Sequence, residues 1–96
     1  MIIVYSPRAL RDLYDIEAYL VERSVTGTRN VLAAIKSAID SLEHFPKIGI
    51  PVNGEGRYRL PVQHYPYLVF YKLANNGIFI LHVRHGARRP VEVDEL

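Results

Sequence analysis

No part of the chain narrows its possible folds more than residues 67–90. There Tyr67-Leu68-Val69-Phe70-Tyr71-Lys72-Leu73 and Ile78-Phe79-Ile80-Leu81-His82-Val83 flank Ala74-Asn75-Asn76-Gly77. Both runs are rich in the aromatic and β-branched residues that suit a pleated sheet. Asn76-Gly77 between them is a strong hairpin signal, because both residues tolerate the positive φ of a type I′ turn. With Asn76 and Gly77 as the turn, strict alternation sets the register. Leu73 faces Ile80, Tyr71 faces His82 and Val69 faces Arg84; on the other side Lys72 faces Leu81, Phe70 faces Val83 and Leu68 faces His85. The face of Leu68, Phe70, Phe79, Leu81 and Val83 is then apolar and needs a cover. The opposite face carries Tyr67, Tyr71, His82 and Arg84 beside Val69, Leu73 and Ile80, which predicts a docking surface.

Charge is unevenly placed along the chain. The net charge is only +2, yet from Arg57 to Arg89 there are Arg57, Arg59, Lys72, Arg84, Arg88 and Arg89 and no acid. Such a block suits an acidic partner, either nucleic acid or an acidic protein segment. Cysteine is absent, which excludes disulfide and thiolate chemistry. The opening Met1-Ile2-Ile3-Val4 is too short for a signal peptide, and no run is long enough to span a bilayer, so a cytoplasmic protein is expected. Ninety-six residues predict one domain over residues 1–96, with an acidic tail from about residue 91 that has no core pattern.

Ahead of the hairpin, Ile2-Ile3-Val4-Tyr5 reads as a short strand. Ser6-Pro7 offers a helix N-cap followed by Pro at the first helical position. Leu10, Leu13, Ile16 and Leu20 recur at helical spacing to about Arg23, with Asp12, Asp15 and Glu17 expected on the exposed side. Ser24 to Gly27 breaks the pattern, and Thr28 is the expected cap of a second helix. Val31, Ile35, Ala38, Leu42 and Phe45 form its apolar seam, which Pro46 ends. Leu10, Leu13, Ile16, Ile35, Leu42, Phe70, Leu81 and Val83 are predicted to be buried together. Residues 47–56 read as loop. Arg57-Tyr58-Arg59-Leu60-Pro61-Val62 alternates as a strand, with Pro61 at an end or edge. A three-residue loop at Gln63-His64-Tyr65 would set Arg59 opposite Val69 and place both arginines with Tyr71, His82 and Arg84. The expected architecture is α+β: an αα-hairpin packed on one face of a mainly antiparallel sheet of four strands, in the order β-α-α-β-β-β.

The chemistry-bearing residues are few. His82 and His85 are three apart, so an uninterrupted strand sends them to opposite faces and they make a poor metal pair; no metal and no cofactor are expected. His85 beside Arg84 and Arg88 is a candidate general base for RNA cleavage, with Tyr71 as a further candidate. The glycines of Asn53-Gly54-Glu55-Gly56 precede a strand rather than a helix, so they do not form a phosphate loop. Tyr58, Tyr65, Tyr67 and Tyr71, interleaved with arginines, suit either base stacking or sheet packing.

In sequence order, several pieces resemble the RelE/ParE superfamily of toxins from bacterial type II toxin–antitoxin modules. They are Ser6-Pro7-x-Ala9 with Asp12-Leu13-x-x-Ile16, Leu42-x-x-x-Pro46 and Arg59-Leu60. They continue with Tyr65-Pro66-Tyr67-Leu68-Val69-x-Tyr71, and Ile78-x-Ile80-Leu81-x-Val83-x-His85-x-x-Arg88. Together they cover nearly the whole chain. The resemblance implies a plasmid-stabilisation type of module in which a co-encoded antitoxin neutralises the toxin. RelE-like members are ribosome-dependent RNases that use basic residues and a histidine or tyrosine near the end of the sheet. ParE-like members inhibit DNA gyrase. RNase relatives of this pattern often carry an Arg where this chain has Tyr67, and some a Tyr where it has Gly86. Tyr67-x-x-x-Tyr71 and His85-Gly86-Ala87-Arg88 look ParE-like.

The resemblance therefore implies a ParE-like gyrase inhibitor that is not an enzyme. The alternatives are a RelE-like mRNA interferase acting with ribosome and mRNA through His85, Arg84, Arg88 and Tyr71, and a non-toxic antitoxin-binding co-repressor. The complex would meet operator DNA through the antitoxin. Residues expected to contact antitoxin or target are Arg57, Arg59, Tyr67, Tyr71, His82, Arg84, His85, Arg88 and Arg89.

Overall fold

The computed structural model describes residues 1–86. The chain runs β1 (Ile2–Tyr5), α1 (Pro7–Val21), α2 (Val25–Ser41), β2 (Ile50–Val52), β3 (Arg57–Pro61), β4 (Tyr67–Ala74) and β5 (Gly77–His85). The strands form one sheet in the order β1-β5-β4-β3-β2, with β1 parallel to β5 and every other pair antiparallel. The expected α+β architecture holds, with a fifth strand where residues 47–56 read as loop. Pro51 is why the β2 sequence does not read as a strand. It lies opposite Tyr58 at the outer edge of the sheet, the position where a missing N–H does no harm.

Helix α1 starts where Ser6-Pro7 predicts. The Ser6 Oγ accepts from the Ala9 N–H at 3.0 Å and Pro7 occupies the first turn. Helix α2 starts earlier than expected. Its cap is Ser24, whose Oγ accepts from the Gly27 N–H at 2.9 Å, so Thr28 lies inside the helix and its hydroxyl donates to the Ser24 carbonyl at 2.7 Å. Gly27 reads as a breaker but serves as the third residue of the helix, where a Cβ would lie 3.1 Å from the Ser24 Oγ. Within the predicted seam Val31, Ile35 and Leu42 are buried, but Ile39 takes the expected place of Ala38, and Phe45 is exposed.

The hairpin forms one residue earlier than the Asn-Gly reading. Asn75 and Asn76 are the turn, with φ of 50° and 62°, and Gly77 is already the first residue of β5, paired with Ala74. Leu73 therefore meets Ile78 and Tyr71 meets Ile80, two residues from the predicted partners. A β-bulge then shifts the ladder: Phe70 meets His82, Val69 meets Val83, Leu68 meets Arg84 and Tyr67 meets His85, leaving Leu81 as the extra residue. A bulge flips the side-chain alternation beyond it. Ile78 and Ile80 before it, and Val83 after it, thus share one face.

That face is the one the helices cover. The core joins Ala9, Val31, Ile35, Ile39 and Leu42 from the helices to Tyr67, Val69, Tyr71, Ile78, Ile80 and Val83 from the sheet, with Leu13 and Ile16 packed against it. Along β4, and along β5 up to the bulge, the two predicted faces are exchanged: Tyr67, Val69, Tyr71 and Ile80, expected on the docking face, are core. Beyond the bulge Val83 is core, and His82 and Arg84 are opposite it in register, as expected. Phe70 is buried, at 4% exposure, on the other side and beside the His82 ring. Leu10 is exposed and Leu81 sits at the bulge, so of the predicted cluster only Ile35, Leu42 and Val83 form its fully buried part.

Candidate functional site

Two regions collect the chemistry-bearing side chains. The first lies where β1 stops. Strand β1 covers the edge of β5 only from Gly77 to Ile80, and backbone groups of β5 beyond that point need other partners. The start of α1 supplies them. The Ser6 N–H donates to the Ile80 carbonyl at 2.9 Å, and the Ser6 hydroxyl donates to the carbonyl of the bulged Leu81 at 3.0 Å. Asp12 follows on the same helix. Its Oδ2 accepts from the Val83 N–H at 2.9 Å and from the His82 Nδ1–H, and its Oδ1 accepts from Arg8 Nε at 3.3 Å. Arg8 Nη2 lies 3.5 Å from His82 Nε2. A guanidinium has only donors, so this contact makes Nε2 the acceptor and Nδ1 the protonated nitrogen of a neutral ring.

His82 is 3% exposed. Burial pushes its pKa below the ordinary histidine value, as do Arg8 and Arg84, against the opposing pull of Asp12. The neutral ring is thus held between a carboxylate and a guanidinium, with neither nitrogen turned to solvent. Asp12, read as a solvated helix charge, is the hub of this network. The sequence signal was its place in the buried stripe, three residues after Ala9 and four before Ile16. Arg8, Asp12, Asp15, His82, Arg84 and His85 also line a cleft of about 200 Å³ beside Tyr67. His85 sits at its far end, its ring edge-on to Tyr67 with centroids 5.2 Å apart.

The second region is the sheet face opposite the helices. Residues 62–66 join β3 to β4, and the Val62 N–H donates to the Tyr67 carbonyl at 2.9 Å, so four residues lie between that closing pair. Arg59 therefore lies opposite Phe70 rather than Val69, and Arg57 opposite Lys72. The arginines share this face with His82 and Arg84, as expected, but not with Tyr71.

Tyr71 is fully buried. Its hydroxyl accepts from the Gly49 N–H at 2.9 Å, its ring stacks on Tyr58 at 5.2 Å, and burial raises its pKa. A Cβ on Gly49 would come within 2.7 Å of that hydroxyl, so the close approach requires glycine. Of the residues expected to contact a partner, Tyr67, Tyr71 and His82 are buried framework groups, while Arg57, Arg59 and Arg84 lie on one sheet face. Arg88 and Arg89, with the acidic tail, lie outside the described residues. No group of three or more His, Asp or Glu side chains able to hold a metal occurs among the described residues. No helix there is long and apolar enough to cross a membrane.

Over residues 3–90 the chain matches the family described as the ParE toxin of the type II toxin–antitoxin system parDE. It is 31% identical over 86 residues to Toxin RelE2 of Caulobacter vibrioides, covering 90% of this chain and 96% of that protein. Identity to the putative toxin Y4kP of Sinorhizobium fredii is also 31% over 86 residues, covering 90% of this chain and 88% of that one. The fold is similar to a chain of the chromosomal ParDE toxin–antitoxin system from P. aeruginosa, with a TM-score of 0.76 at 19% identity, covering 88% and 95% of the two chains.

Proposed function

We propose, from the premise that this chain belongs to the ParE toxin family of type II toxin–antitoxin systems, that it acts by inhibiting DNA gyrase and is neutralised by a co-encoded antitoxin. The observation that carries the choice of a non-nuclease toxin is the fate of the proton-transfer candidates. Tyr71 is shut in the core on Gly49, and His82 is held between Asp12 and Arg8. Cleavage of RNA by its 2′-hydroxyl needs a base, an acid and donors for the developing charge. His82 and His85 both line the cleft, but with His82 held in place His85, beside Arg84, is the remaining candidate there.

The second reading is a ribosome-dependent mRNA interferase. It is favoured by the name of the Caulobacter relative, Toxin RelE2, and by His85 lining the cleft with Arg84. Two assays on one preparation separate the readings. Purified protein is added to a gyrase supercoiling reaction and to translating ribosomes whose message is mapped for cuts. Loss of supercoiling with intact message supports the gyrase reading. Cut message with unimpaired gyrase replaces it with the interferase.

A further inference from the structure

An antitoxin needs a surface to grip, and the sheet face opposite the helices offers one with a defined charge. Resting on the antitoxin reading above, we infer that Arg57, Lys72 and Arg59 form a seat for the carboxylates of an acidic, amphipathic segment of the partner protein. Arg57 on β3 and Lys72 on β4 are directly opposite each other. The Leu73 N–H donates to the Gly56 carbonyl and the Val62 N–H to the Tyr67 carbonyl. By alternation, Arg57 and Lys72 form a non-hydrogen-bonded pair, whose side chains approach more closely. Like charges so placed destabilise a sheet unless something answers them.

Nothing among the described residues does. The ion pairs there are Arg8–Asp12, Lys36–Asp40 and His82–Asp12, and none reaches this pair. Arg57 Nε is sealed from solvent with no acceptor. Because that nitrogen is closed to solvent, an incoming anion meets the half-buried Arg57 and Lys72 through their other N–H groups and answers the charge of the pair.

The flanks decide between a carboxylate and a phosphate. Across the strands the row reads Val52, Arg57, Lys72, Phe79, Val4, and the next row sets Ile50 beside Arg59. Ile50 is 46%, Val4 40% and Ile2 72% exposed. Apolar groups at both ends of a cationic centre fit a peptide that carries both acidic and apolar side chains. A nucleic acid backbone has only charge to offer there.

The test uses fluorescence anisotropy with three labelled probes: a short peptide alternating glutamate with valine, the same peptide with glutamine for glutamate, and a single-stranded oligothymidylate. The glutamate peptide is expected to bind the wild-type protein about tenfold tighter than the glutamine peptide, with a preference that fades as salt is added. Lys72→Gln is expected to remove that preference while melting no lower than wild type, because it deletes a like-charge neighbour. Arg57→Gln supplies a second variant of the same pair. Equal binding of the two peptides overturns the seat, as does a preference that survives both substitutions. Oligothymidylate binding as tight as the glutamate peptide also overturns it, in favour of phosphate. Relief of growth arrest by the co-encoded antitoxin tests the underlying reading separately. If that antitoxin protects cells while the peptide preference is absent, the seat is wrong and the partner reading stands. A glutamate preference lost in Lys72→Gln supports the seat whether or not such protection is found.

Discussion

Asp12 and Asp15 look alike in the sequence, two carboxylates three residues apart on an amphipathic helix. The structure separates them completely. Asp15 is exposed, whereas Asp12 accepts from the Val83 N–H, from His82 and from Arg8. Asp12→Ala leaves a backbone donor and a histidine N–H without an acceptor and is expected to cost about 1.5–3 kcal/mol. Asp15→Ala is expected to stay within about 0.5 kcal/mol of wild type. Urea unfolding of both variants checks this, and equal losses would return Asp12 to the solvated class. The same network predicts an acid limb. Folding lowers the pKa of His82, chiefly by burial, while in the unfolded chain histidine titrates near 6.5. Between those two values the unfolded state binds more protons, so stability rises with pH there. The contribution of His82 is therefore whole above about pH 6.5 and declines as pH falls from there toward the folded-state pKa. Unfolding free energies from about pH 7.5 down to about pH 5 should show a steeper decline in wild type than in His82→Gln. Matching slopes would assign the acid lability to another group.

At the level of elements, the existence of all but β2 was legible and register was not. Hydrophobic spacing marks both helices, and Ser6-Pro7 marks the start of α1, because caps and periodicity are local properties of a helix. The hairpin is also announced locally, but three consecutive residues, Asn75, Asn76 and Gly77, all suit positive φ, so composition alone does not choose which two turn. The chosen pair leaves Gly77 to start β5 in a tight spot, where a Cβ would lie 3.0 Å from the Phe79 ring. The bulge at Leu81 has no local signal at all. Both phases of Ile78-Phe79-Ile80-Leu81-His82-Val83 are mostly apolar, so only the tertiary contacts of α1 with β5 show that the alternation breaks. Those contacts include the Ser6 hydroxyl on the Leu81 carbonyl. Strand β2 stayed hidden because its three residues include Pro51 at an outer edge. The turn makes a sharp prediction. Asn75 holds φ of 50°, and replacing it with alanine forfeits the tolerance of asparagine for the left-handed region. The expected loss is about 1 kcal/mol, while Asn75→Gly should be neutral or slightly stabilising. Thermal melts of the pair test the turn, and an Asn75→Ala protein as stable as wild type would place the turn one residue later.

On the scale of the whole molecule, the helices cover one face of the sheet, and the bulge decides which residues face them. It turns Tyr67, Val69 and Tyr71 inward with Ile80 and Val83, and it leaves Arg57, Arg59 and Arg84 on the opposite side with His82. Of the basic block visible in the sequence, Arg57, Arg59 and Arg84 thus reach one face as expected, while the aromatic residues expected beside them became core. This exchange bears directly on function. For an RNase built on this sheet the acid and base candidates in the described residues are His85 and Tyr71, together with His82. Tyr71 has its hydroxyl occupied by Gly49 and its pKa raised by burial, which moves it away from the range useful near neutral pH. His82 has both nitrogens engaged, by Asp12 and by Arg8. His85 packs edge-on against Tyr67 at the end of β5, and a single histidine supplies one proton transfer of the two the reaction needs. His85→Gln keeps a hydrogen-bonding side chain of similar reach and removes titration. Growth arrest on induced expression is therefore expected to persist in His85→Gln at the wild-type level. Its thermal melt and its neutralisation by the antitoxin are measured on the same variant. The gyrase reading fails if His85→Gln abolishes growth arrest with those two properties intact and only the wild-type protein cuts ribosome-bound message. In that event His85 is the base, and its acid partner must come from the ribosome or from the message.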